Sequence, residues 1–143
     1  MAITATPYGK FLLALGNAQI NFGSDTFKVM LTTSSYVPNL DTHEFKTDVT
    51  NEISGTGYTA GGKTLTGTGW SYDSANDRSV LAADNVTWTS ATFTTRLAVV
   101  YKSTGTDATS RLIGWIDFGV DKSPSSEDFV LAFTSGVVRV KVG

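Results

Sequence analysis

A chain of 143 residues with 13 acidic side chains against 11 basic ones, a formal net charge of −2, has the length of one domain and can bury a core without disulfides or metals. It has no cysteine, which excludes disulfides, thiolate metal sites and thiol nucleophiles. The mild acidity, with no local cluster of Lys or Arg, argues against nucleic acid, whose binding draws on phosphate neutralisation.

In chain order, the one good helix signal comes first. Thr6 is placed to cap, Pro7 to take the first helical position, "YGKFLLAL" to continue and Gly16-Asn17 to close. These signals predict a helix from Pro7 to Leu15, the segment 8–16, with residues 1–7 ahead of it as an N-terminal arm. The start "MAITATPYGKFLLALGN" has a short apolar run after its first basic residue and no cleavage site, so it reads as neither a signal peptide nor a membrane span.

Beyond the helix the period changes to two. "TFKVMLTTS" sets Phe27, Val29 and Leu31 against Lys28, Met30 and Thr32. "FTTRLAVVYK" aligns Phe93, Leu97, Val99 and Tyr101, and its second half is apolar on both faces, the pattern of a central strand. "DFVLAF" aligns Phe129, Leu131 and Phe133, and "VVRVKV" aligns Val138, Val140 and Val142. Weaker strands are predicted at 18–22, 64–72, 79–83, 86–89 and 111–118. Turn signals part them at Gly23, "DSAND", "STGTDATS", "DKSPSSED" and Ser135-Gly136. Short strands at this spacing predict a mainly β chain, an antiparallel β-sandwich or jelly-roll-like domain over 1–143 with one short N-terminal helix. The stretch from Tyr36 to Gly62 has no strand pattern and reads as a crossing segment.

"GYTAGGKT", Gly57 to Thr64, spells the nucleotide-phosphate loop. That loop needs a buried strand before it and a helix opening at its Lys-Thr pair. The polar "DVTNEISGT" precedes it and the strand-like "LTGTGWSYDSAND" follows it, so it reads as a glycine turn feeding a strand. Lys63 has no assigned role beyond solubilising that turn.

Candidates for chemistry are few. His43 is the single histidine, so any histidine-dependent acid–base site must use it, and a two-histidine zinc site is excluded. Its neighbours Asp41, Glu44 and Asp48 are the acids a metal site there would draw on, but an exposed or locally hydrogen-bonded histidine in a polar loop is the expected reading. Asp73 and Asp77 in "DSAND" lack the glycine and closing glutamate of a calcium loop and read as a hairpin turn. Asp117 is the acid inside a strand, two residues from Trp115 on one face. Trp115 is therefore a candidate for sugar stacking or protein contact, while core packing is the favoured reading because large aromatics are mostly buried. No catalytic, cofactor-binding or metal-binding residues are assigned, and the chain is not read as an enzyme.

With "SDTFKVMLTTSSY", "NEISGTGYTAGGKTLT" and "DNVTWTSATFT" followed by "AVVYK" in view, the chain from about Tyr8 to Val138 resembles a group of small tailed-bacteriophage and prophage virion structural proteins, called head-decoration, cement or minor virion proteins. The resemblance implies a virion component without a cofactor, made in the host cytoplasm and acting through its surface on the phage head. It implies the major capsid protein as partner, with tail proteins as the alternative, and supplies no catalytic residues. A homotrimer over a local threefold axis would gain avidity on a shell. Ile3 and Tyr8 are then the expected anchors of the arm, and Trp115 a further contact. A carbohydrate-binding adsorption module is the alternative of another class.

Overall fold

Of the segments with clear alternation, "TFKVMLTTS" and "FTTRLAVVYK" lie in the five-stranded sheet of the computed structural model, which describes residues 4–142. The elements are β1 (Thr6–Pro7), α1 (Gly9–Gly16), β2 (Phe27–Thr32), β3 (Lys63–Thr64), β4 (Gly69–Asp73), β5 (Arg78–Ala82), β6 (Val86–Thr92), β7 (Thr95–Lys102), β8 (Leu112–Lys122), β9 (Ser125–Leu131) and β10 (Val138–Lys141). Short 3-10 turns lie at Lys46–Asp48 and Asp107–Thr109. The strands form a five-stranded sheet in the order β1-β8-β7-β2-β3, a three-stranded sheet β10-β5-β4 and a ribbon β6-β9, with every strand pair antiparallel. The chain is a mainly β, sandwich-like antiparallel domain with one helix.

Directly opposed residues in an antiparallel pair point to the same face. Met30 opposes Val99, Lys28 opposes Tyr101, and Val99 opposes Trp115, so these side chains share the outer face of the five-stranded sheet. Val29, Leu31, Val100, Ala98 and Ile116 share the inner face. The inner face meets the other strands through aromatic contacts. Phe118 packs on Phe129 at 5.9 Å, and Phe27 on Phe22 at 5.1 Å, with Phe22 in turn on Trp70 at 4.6 Å. β7 is buried on both faces because the crossing segment covers the outer one. There the Tyr101 hydroxyl donates to Gly61 O at 2.6 Å, the Lys46 ammonium sits 5.7 Å from the Tyr101 ring, and Tyr8 packs on Trp115.

Three local expectations are corrected. Residues 18–22 are an irregular connection between two turns and not a strand, because Asn21 N–H donates to the Asp25 carboxylate and Gly23 N–H to the Asn21 side chain, which satisfies backbone groups a ladder would use. Ile20 and Phe22 are nonetheless buried, so the alternation marked burial and not a strand. Pro7 lies in β1 and Tyr8 takes the N-cap position of α1. Within "DKSPSSED" only Ser123 and Pro124 lie outside strands, since β8 runs to Lys122 and β9 starts at Ser125. That stretch is polar because its strands project into solvent.

Candidate interaction surface

The helix supplies the outstanding surface feature. At 100° per residue, Phe11 and Ala14 fall on one side of α1 and are buried, while Gly9, Leu12, Leu13 and Gly16 fall on the opposite side. An amphipathic surface helix places polar groups there; "FLLALG" has none to place. Leu12 is 47% exposed and Leu13 60%. The loop at the helix N-terminus carries two further exposed apolar side chains, Val37 and Leu40, 75% and 49% exposed. Leu40 O accepts the Gly9 N–H at 3.0 Å, and a Cβ at Gly9 would stand 3.0 Å from that same oxygen, so this approach favours glycine. Lys10, the one charged residue of α1, stands 4.0 Å from Glu44.

The loop is held from beneath by a polar chain on the outer face of the sheet. Asn39 Oδ1 accepts the N–H groups of Asp41 and Thr42, and the Asn39 N–H donates to His43 Nδ1 at 3.2 Å. A backbone N–H only donates, so Nδ1 accepts, and the Tyr36 hydroxyl must donate to it at 3.0 Å. The Tyr8 hydroxyl then donates to the Tyr36 oxygen at 2.7 Å. Burial pushes the Tyr8 hydroxyl far above the ordinary tyrosine range and raises that of Tyr36, so both are neutral donors in this chain. The single histidine is thus a structural acceptor that fixes the loop carrying Val37 and Leu40.

Asp48 closes the same segment. Its carboxylate accepts the N–H groups of Phe45 and Glu44 at 2.9 and 2.8 Å, and these bonds hold its pKa below the usual carboxylate value. A folded-state pKa lowered this way contributes stability above the unfolded value near 4, lost as pH falls through the folded one. Asp48→Ala is expected to cost about 1 kcal/mol at about pH 7, allowing for solvent exposure, and less at about pH 2. Urea midpoints of both proteins at the two pH values check this; an equal gap at both would remove the carboxylate as its source.

Of the three residues expected at an interface, Ile3 lies outside the described residues. Tyr8 is not a surface anchor: it is fully buried, because its hydroxyl finds Tyr36 and its ring packs 4.7 Å from that of Trp115. The described part of the expected arm is bound into the fold, with β1 paired to β8 and Ala5 bridged to Val138. Trp115 is half-buried, one side of its ring taken by Tyr8, and the Asp117 carboxylate turns to Arg96 at 2.7 Å. That ion pair, with the Gly119 N–H, lowers the Asp117 pKa. "GYTAGGKT" leads into β3 and then a turn, and the Lys63 ammonium donates to Thr87 O at 2.7 Å. A polar cavity of about 230 Å³ is lined by Lys28, Lys46, Tyr101, Asp107 and Ser110, with Lys46 already paired to Asp107. Among the described residues no group of three His, Asp or Glu side chains is placed to hold a metal ion. Compared with family models, with curated proteins and with solved structures, the chain has no match.

Proposed function

We propose that the chain is a non-enzymatic virion structural protein of a tailed bacteriophage, a capsid decoration protein that docks on the outer surface of the major capsid protein. The observation that carries this reading is the outward face of α1 with its neighbouring loop: Leu12 and Leu13 on the helix, and Val37 and Leu40 on a loop tied down by the Tyr8–Tyr36–His43 hydrogen bonds, present apolar surface. The resemblance in "SDTFKVMLTTSSY" and "NEISGTGYTAGGKTLT" supplies the virion context. As a homotrimer on a local threefold axis, the protein would engage several capsid copies at once, so modest contacts per subunit become firm attachment.

The test is the copy number per purified particle relative to the major capsid protein. A ratio on the order of one to one or one to three fits a shell-wide decoration. A few copies per hundred would move the protein to a tail or baseplate site, and absence from particles would overturn the virion reading in favour of glycan binding. Leu13→Asp is the matching variant. It is expected to lose particle association while shifting stability by no more than about 0.5 kcal/mol, since the side chain is largely in solvent. Retention at wild-type copy number would clear the α1 face of any docking role.

A further inference from the structure

The open edge of the three-stranded sheet is self-complementary. β4 ends the order β10-β5-β4, and among the described residues no strand or bridge pairs its free side. Val137 N–H donates to Leu81 O at 2.6 Å, so the main-chain groups of Leu81 face β10. Trp70 opposes Leu81 and therefore turns its own N–H and C=O outward. By alternation Tyr72, opposite Ser79, does the same. The strand "GWSYD" carries no lysine, proline or bulge, the devices that keep an edge from pairing. Trp70 and Tyr72 are exposed, on the same face of the strand.

We infer that β4 pairs antiparallel with β4 of a second copy across a twofold axis through Ser71. In that register Trp70 of each copy lies opposite Tyr72 of the other, and these are the residues whose outward N–H and C=O groups can exchange hydrogen bonds. The same pairing sets two aromatic cross-strand pairs against each other and puts Gly69, which has no side chain, opposite Asp73. Ser71, whose main-chain groups face β5, meets its own copy at the narrow, non-hydrogen-bonded position. The pairing joins the three-stranded sheets of two copies into one. It uses no residue of the α1 face and stands whether or not the virion reading holds.

The chain has no cysteine, so Ser71→Cys introduces one thiol per copy at the proposed axis. Non-hydrogen-bonded antiparallel partners have Cα atoms about 4.5 Å apart, within disulfide reach. Mild oxidation is expected to link Ser71→Cys into a covalent two-chain species about tenfold or more faster than Ser74→Cys, which lies on the same hairpin outside the register. Adding Tyr72→Pro to Ser71→Cys removes the outward N–H while leaving the ladder to β5, and is expected to abolish the difference. If Tyr72→Pro lowers the thermal midpoint, Tyr72→Lys takes its place. Equal linking at positions 71 and 74, or linking at 71 that survives both Tyr72 substitutions, would overturn the pairing.

Discussion

Replacing Gly62 with alanine is expected to cost at least about 3 kcal/mol and to leave little folded protein in mild urea, because two penalties coincide. Gly62 has φ +76°, a conformation that side chains resist. A Cβ there would also overlap the carbonyl oxygen of Val29 and come within 2.7 Å of Met30 Cα. Val29 and Met30 are buried in β2, held between β7 and β3, and cannot move aside. The neighbouring Gly61 separates the two causes. Its φ is +90°, but a Cβ would meet only the Lys28 ammonium and the Tyr101 hydroxyl, each at 3.5 Å, so Gly61→Ala is expected to cost about 1 kcal/mol. Lys63→Ala should change stability by no more than about 0.5 kcal/mol. Urea denaturation of the three variants gives the ranking. Equal losses at Gly61 and Gly62 would show that φ alone matters, and a large loss at Lys63 would mean that its bond to Thr87 O clamps the loop.

Trp88→Ala is expected to cost about 3–5 kcal/mol, the range for emptying a large aromatic site in a core. Trp88 is fully buried, with the rings of Tyr58 and Phe129 at 6.4 and 5.9 Å. Its indole Nε1 has no hydrogen-bond partner among the described residues, and a buried donor left unpaired carries its desolvation cost in the native state. Trp88→Phe keeps most of the ring packing and removes that donor. It is expected to cost about 1 kcal/mol, well under half the loss in Trp88→Ala. Calorimetry of both variants decides it. If Trp88→Phe were as damaging as Trp88→Ala, the indole N–H would have to be making a bond that the packing does not reveal.

The parts of the fold legible in the sequence are those whose signal is local. β2 and β7 were readable from alternation, and the apolar second half of β7 marked it as central, between β2 and β8. The "DSAND" hairpin was readable because its turn chemistry is its own: Asp77 takes φ +51°, and the Asp73 carboxylate accepts from Ala75 N–H and the Asn76 amide. The phosphate-loop spelling was rejected on context, and the chain builds no helix at Lys63-Thr64. Residues 18–22 show the opposite case. Apolar positions two apart place Ile20 and Phe22 in the core, yet side-chain bonds from Asn21 and Asp25 hold the backbone out of a strand.

Composition and period by themselves determined that this chain is an antiparallel β domain with one short helix, because strand alternation and turn chemistry are set by residues within a few positions of one another. They also contained, in "FLLALG", the apolar outer face of that helix. Only the tertiary structure decided which apolar groups remain outside. Tyr8 is drawn inward by Tyr36, a partner 28 residues away, Trp115 is half covered by Tyr8, and Leu12, Leu13, Leu40 and the edge of β4 are left facing water. Burial is a sum over contacts made by segments remote in sequence, and local patterning carries no record of what packs against it.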